Sequence, residues 1–350
     1  MVRWRANSLR APGSFLSALA VVLLPALLVG CDLTRFTANS SAALFVRASD
    51  GLQEHWDYEL VGDGLPASIL QLEGVFEVVP DNEELGIALM RAYVFYTFGW
   101  IEDEVMEAQD AGDFEAEERL MGRARLLYER ARNIGLHLLR LRDPQVVEEL
   151  RAGMDEAEAY LERRYRGQGD VPLLFWTGYA WASAVNVGRD DPELVLDLPL
   201  ARAVLERAVE IDPTFFNHAG LTFLGVVNAS LPEALGGEPE VARGYFEQAL
   251  EATDRTFFAV HVNYARTYAV QVQDRALFIS LLREVVDGGD PDPGSRLANR
   301  IARRQAIRWL RRVDQVIPED SGPFLPAASA PLVPAPGHGP PGASPASSAR

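Results

Sequence analysis

The sequence predicts an all-α fold of helical hairpins packed as a solenoid or bundle, and three observations carry that reading. Apolar residues recur at helical spacing through most of the chain. No run of any length alternates apolar and polar residues with the period of two that a half-buried strand needs. One small–bulky–small pattern also occurs twice, 41 residues apart: Ala201, Leu205 and Ala208, then Ala242, Phe246 and Ala249. Small residues seven apart let a neighbouring helix approach closely, and the bulky residue between them fills the groove. Asp212-Pro213 then turns the chain. This is the second-helix pattern of tetratricopeptide-like repeats, with a weaker copy at Ala124, Tyr128 and Ala131. The spacing departs from the standard period, so the repeats are degenerate.

The chain opens with Arg3, Arg5 and Arg10, then an apolar run from Phe15 to Val29. That run is too short for a confident transmembrane helix and has the form of a secretory signal. It ends in Leu28-Val29-Gly30-Cys31, which resembles a bacterial lipobox. The resemblance makes residues 1–30 a lipoprotein signal peptide and Cys31 the acylated first residue of the mature chain. Cys31 is also the single cysteine, so no internal disulfide forms and stability rests on packing. Residues 31–63 read as a lipidated tether running into a first helix at about 40–59.

Residues 64–316 read as a helical domain. Leu65-Pro66 opens a helix with Pro in its first turn, and Pro80-Asp81-Asn82 ends it. A helix over 83–109 has an aromatic centre from Tyr93 to Trp100. After the turn Asp110-Ala111-Gly112-Asp113 comes a helix over 115–141, and after Asp143-Pro144 another to about 165. Gly167-Gln168-Gly169-Asp170 is the clearest internal break. Beyond it helices pair: 171–187 with 199–211, 215–230 with 239–253, and 257–272 with 275–287. A basic helix over about 294–316 closes the domain. Residues 317–350 are rich in Pro, Ala, Ser and Gly and are expected to be disordered.

Formal net charge is −17, and −20 without residues 1–30, which hold three arginines and no acid. That acidity excludes nucleic acid as a partner and a basic peripheral membrane contact; acyl chains would hold the protein to a bilayer. No recognisable catalytic or metal motif is present. The five histidines form no HExxH and no close pair, and there is no CxxC, G-x-S-x-G elbow or P-loop lysine. No cofactor or metal is expected. Acidic runs such as Glu102-Asp103-Glu104 read as solvated faces or caps.

The aromatic clusters carry the better signal. Trp176, Tyr179 and Ser183 share a helix face, with Asn186 following, and Tyr96 belongs to a second aromatic cluster. Asn217, His218 and Asn263 bring polar groups onto helices of the repeat half. These eight residues are the candidate lining of an apolar pocket or pore, against the plainer reading of aromatic residues as ordinary core.

The chain resembles, over roughly residues 28–316, the T-component (TatT) family of TRAP transporter systems. The resemblance rests on the lipobox, Leu65-Pro66 with Pro80-Asp81-Asn82, and the segment from Ala124 to Gly135. It rests also on Phe175-Trp176-Thr177-Gly178-Tyr179-Ala180-Trp181, on Asp190-Asp191-Pro192-Glu193-Leu194-Val195, and on the segment from Ala298 to Ala306. The resemblance implies a non-enzymatic periplasmic lipoprotein, anchored in either membrane leaflet, that forms a homotrimer. It implies association with the solute-binding P subunit and passage of a hydrophobic or organic-acid solute toward a permease. The Pro-rich tail departs from the family pattern. The alternative is a generic repeat scaffold in envelope assembly without a small-molecule ligand.

Overall fold

The structure, a computed structural model, describes residues 30–230 and 237–319, without the side chains of 30–32, 49 and 50. The signal segment up to residue 29, the Cys31 side chain and the tail from 320 onward therefore lie outside the described residues. The described chain is helical and contains no strand.

The first helix, α1 (Gly30–Gly51), begins earlier than the expected 40 and leaves no extended tether between 31 and 40. Its Thr and Ser content argues against helix, but Thr37 and Ser40 donate to the carbonyls of Leu33 and Phe36 at 2.8 and 2.9 Å. Back-bonding of this kind accommodates hydroxyl side chains inside a helix. A 3₁₀ turn at Leu52–Glu54 follows, and α2 (Tyr58–Val78) starts at a true cap, the Asp57 carboxylate accepting from Leu60 N at 3.0 Å. Pro66 thus sits inside α2 rather than in its first turn. The residue four before it, whose carbonyl would clash with the ring, is Gly62, which adds no Cβ to the crowding.

Asn82 caps α3 (Glu83–Tyr96), its side chain accepting from Leu85 N at 2.9 Å. A π turn at Thr97–Ile101 leads directly into α4 (Glu102–Ala111), which ends at Gly112 with φ of 67°. Glycine reaches that left-handed conformation without strain. The long α5 (Phe114–Arg142) follows. The expected single helix to 165 is two, α6 (Val146–Arg151) and α7 (Met154–Arg164), parted at Gly153 where φ is 156°. Next come α8 (Val171–Val187), the short α9 (Pro192–Val195), α10 (Leu198–Ile211) and α11 (Phe215–Ser230). The chain ends in α12 (Pro239–Ala252), α13 (Ala259–Tyr264) with a π turn at Ala265–Ala269, α14 (Arg275–Asp287), α15 (Arg296–Arg311) and α16 (Val313–Val316). Ile317, placed in the tail by sequence, is buried, and its carbonyl accepts from Arg275 at 2.5 Å.

Helices near one another in chain order pack as neighbours: α3 on α5, α5 on α8, α8 on α10, α11 on α12, α13 on α14. Two of these hairpins use one device. Gly178 of α8 lies so close to α10 that a Cβ there would meet Leu205 N at 2.9 Å and Ala201 O at 3.0 Å. Gly225 of α11 lies likewise against the Phe246 ring of α12, at 2.9 Å. The bulky residue of each small–bulky–small pattern therefore rests on a glycine of the preceding helix, and Ala201, Ala208, Ala242 and Ala249 are all buried. Ala208→Leu is accordingly expected to lower stability by about 1–3 kcal/mol through overpacking, read by chemical denaturation. A wild-type denaturation curve would place Ala208 outside a tight contact.

The last long helix returns to the start of the fold. α15 packs on α2 and on the 52–54 turn. Asp103 on α4 takes Arg304 at 2.5 Å and Arg308 at 3.0 Å; Glu107 takes both again, and Asp110 takes Arg308 and Arg312. The basic helix foreseen from sequence is one side of this ladder. Two large apolar cores result, beside a small cluster of Val105, Ala108 and Leu120. One runs from Ala42 through α8 and α10, and the other is built from α12 to α15.

Candidate functional site

A cavity of about 360 Å³ lies at the seam between the two cores. Its walls come from α3 and α4, α8, the α9–α10 junction, α11, α13 and α15. The apolar lining includes Phe95, Phe98, Phe175, Trp176, Phe216, Phe223, Phe257 and Ile301. Ring centroids of Trp176 and Phe216 are 5.0 Å apart, and those of Phe95 and Phe216 are 5.7 Å apart. A volume in the low hundreds of Å³ and aromatic walls are the ordinary attributes of a small-molecule site.

Local backbone irregularities aim the wall residues. Both π turns reach the cavity wall, one delivering Phe98, with Glu102 directly after it, and the other Arg266. Each contains a threonine whose hydroxyl bonds four residues back, Thr97 to Tyr93 O at 2.8 Å and Thr267 to Asn263 O at 2.6 Å. Single π turns inside helices recur at functional sites because the extra residue re-aims side chains. At the head of α11, Phe216, Asn217 and His218 have φ of 50°, 53° and 57°. Left-handed backbone costs roughly 1–2 kcal/mol for each such residue. The aromatic contacts of Phe216 and the hydrogen bond from Asn217 Nδ2 to Ser295 Oγ, 2.9 Å, hold the segment in place.

The polar lining is small. Tyr128 on α5 donates to Glu102 Oε1 at 2.5 Å. Burial pushes the Glu102 carboxyl above its ordinary range, against the opposing pull of Arg266 and of the Tyr128 hydrogen bond. Burial, helped by the charge of Glu102, pushes the Tyr179 phenol up to about 12. Arg266 Nε donates to Asn263 Oδ1 at 3.0 Å. The Thr222 hydroxyl is buried and has no hydrogen-bond partner. Asn186 and Arg189 are exposed and bonded to each other, which places a polar rim at the C-terminal end of α8. Among the described residues no cluster of His, Cys, Asp and Glu could hold a metal ion.

The raised Glu102 carboxyl gives a pH dependence with a definite sign. Where the folded pKa exceeds the unfolded one, the group withholds stability above the unfolded pKa and withholds none below it. Glu102→Gln, which keeps an acceptor for Tyr128, is expected to raise the denaturation midpoint at neutral pH. The gain should vanish as pH falls below the ordinary carboxylate range. A gain independent of pH, or a loss at pH 7, would contradict a buried, disfavoured charge.

Of the eight lining candidates, Trp176, Tyr179, Ser183, Asn186 and Asn263 stand in the cavity wall. Tyr96 does not: it points into the first core, stacks on Trp100 and accepts from Arg123 at 3.1 Å, while its neighbour Phe95 takes the wall position. Asn217 and His218 are also absent from the wall, because the left-handed segment turns them away and presents Phe216. Sequence reasoning passed over Glu102, Arg266, Thr222 and Phe216.

Two comparisons bear on this architecture. An uncharacterized protein of Treponema pallidum (strain Nichols) is 26% identical over 276 residues, which is 78% of this chain and 83% of that protein. The family model of the TRAP transporter T-component matches residues 54–316, from the turn ahead of α2 to the end of α16. That match takes in every element lining the cavity, and the chain belongs to the TRAP transporter T-component family.

Proposed function

We propose that the protein is a non-enzymatic, lipid-anchored periplasmic component of a TRAP-type importer. It associates with the solute-binding P subunit and shelters a solute in the seam cavity on its way to the permease. The observation that carries this reading is the cavity itself: aromatic walls drawn from both cores, with few polar groups among them. A repeat-like helical array presents extended surface to a partner and suits a role of association. The homotrimer belongs to the same reading.

Cross-linking and co-purification from the native host, with mass spectrometry of the captured protein and small molecule, test the proposal. Recovery of a TRAP solute-binding protein together with a low-molecular-weight ligand supports it. Recovery of envelope-assembly proteins and no ligand favours the scaffold alternative. Among the described residues no helix is long and apolar enough to cross a membrane. On the lipoprotein reading, Cys31→Ser is expected to move the protein from the membrane to the soluble fraction, since each buried CH₂ of an acyl chain contributes about 0.8 kcal/mol. A mutant that stays wholly membrane-bound would end the lipoprotein reading.

A further inference from the structure

We infer that α1 lies flat on the bilayer, its outward face of Leu33, Phe36 and Leu44 set into the headgroup boundary beside the anchor at Cys31. The inference rests on the lipid-anchor reading. It adds a second membrane contact and, with it, the posture of the protein on the membrane.

A surface helix ordinarily buries one apolar stripe and turns charged residues to water. α1 departs from that pattern. Its inner side packs on α2 and α3, with Ala42 and Phe45 against the first core. The other side carries Leu33, Phe36 and Leu44, which helical spacing places on one face and which are 62%, 69% and 69% exposed. Two hydroxyls sit among them, and neither depends on water: Thr37 and Ser40 donate to Leu33 O and Phe36 O within the helix. Taking a hydroxyl out of water is costly when its hydrogen bond is lost, and here the bond is kept. The face also carries no acid. No Asp or Glu occurs from Leu33 to Ser49, in a chain with 50 acids among 350 residues. Arg47, exposed three residues past Leu44, ends the face with a cation suited to lipid phosphate. The repulsion that keeps the rest of this acidic surface from an anionic membrane is therefore missing here.

The position of the face points to what covers it. α1 runs unbroken from Gly30, so no flexible tether separates Cys31 from the body. At ~1.5 Å per residue, Leu33 lies about 3 Å and Leu44 about 20 Å along the axis from Cys31. Acyl chains entering the bilayer at Cys31 hold that end of the helix at the surface. An upright helix would lift Leu44 into water. A flat one brings all three apolar side chains to the boundary, the posture of interfacial amphipathic helices.

The test uses the full mature, acylated protein on vesicles of phosphatidylethanolamine and phosphatidylglycerol. Acylated Cys31 has no free thiol, so Ser40→Cys and Leu44→Cys each place a single fluorophore on the face. Gln248→Cys places one at an exposed site on α12, in the second core. Lipid carrying a nitroxide near the headgroup is expected to quench the first two labels about twofold or more and the third by less than about a tenth, since an interfacial helix sits ~5–10 Å into the headgroup boundary. Leu33→Ser combined with Phe36→Ser should remove at least about half of the quenching at the Ser40→Cys label, because the apolar area that seats the helix is gone. That variant should still float with the vesicles, and circular dichroism should match wild type because both side chains are exposed. Equal quenching at all three sites, or none in protein that floats and carries the acyl mass, would overturn the flat posture and leave the anchor standing. Protein that lacks the acyl mass or does not float would remove the anchor reading, and this inference with it. If the paired substitution broke up an oligomer in sedimentation and left the quenching unchanged, a second copy of the chain would cover the face, and the membrane contact would be overturned.

Discussion

Trp181→Ala is expected to lower stability by about 3–5 kcal/mol, the cost of emptying a fully packed tryptophan site. Trp181 is 2% exposed and lies in the first core, away from the cavity wall. Its Nε1 donates to Asp197 Oδ2 at 3.2 Å. Asp197 stands at the start of α10 and also takes Arg151 of α6 at 3.1 Å. One side chain thus ties α8 to two other helices. Truncation removes the apolar burial and leaves Asp197 without one of its donors. Trp181→Phe separates the two effects: it keeps much of the volume, loses the hydrogen bond, and should cost nearer 1 kcal/mol for that bond, plus the smaller void. Urea denaturation followed by circular dichroism measures both. Ligand affinity should be unchanged in any fraction that remains folded. A Trp181→Ala protein within about 1 kcal/mol of wild type would show that the α8–α10 contact is looser than the structure has it.

Much of the fold was legible because amphipathic helices carry their own signal. The bounds of 171–187 and 275–287 follow from where apolar periodicity stops at Gly188 and starts after the Asp274 cap. What escaped was any feature set by tertiary packing. The Gly153 break costs little locally and leaves the periodic pattern on both sides intact, so one helix was read where α6 and α7 stand. Neither π turn alters composition. The left-handed run at 216–218 begins at Phe216, a bulky residue that disfavours that conformation although Asn217 and His218 tolerate it, and the aromatic contacts of Phe216 with the Asn217–Ser295 hydrogen bond hold it.

The site divides along the same line. Trp176, Tyr179, Ser183 and Asn186 were readable because they share one face of one helix, at intervals of three and four. Glu102 was hidden in an acidic run whose members go three ways: Glu102 to the cavity, Asp103 to the arginine ladder and Glu104 to solvent. Arg266 lies three residues beyond Asn263, hence on the same face, and that spacing was the available clue. Thr222 and Phe216 gave none, because their positions matter only once α11 crosses the seam between the cores.

Trp176→Ala is expected to change what the cavity accepts more than it changes whether the protein folds. Trp176 is only 3% exposed to solvent, yet one side of its indole faces the cavity and the others meet Phe175 at 5.0 Å, Phe216 at 5.0 Å and Phe95 at 6.1 Å. Missing contacts on the cavity side mean fewer dispersion contacts to lose. Its truncation should therefore cost less than that of Trp181, below the ~3–5 kcal/mol of a fully enclosed tryptophan. The vacated volume joins the existing cavity instead of forming a closed void. Small ligands then lose a wall, and larger ones gain room. Titration of 4-phenylbutanoate and 4-(1-naphthyl)butanoate into wild type and Trp176→Ala reads this as a ratio. The naphthyl-to-phenyl affinity ratio should rise by about tenfold in the variant, in line with the ~1–3 kcal/mol by which an apolar pocket discriminates small changes of ligand volume. Trp176→Phe should fall between the two. An unchanged ratio with a stability loss equal to that of Trp181→Ala would make Trp176 a core residue, and the aromatic face of α8 would then be packing alone.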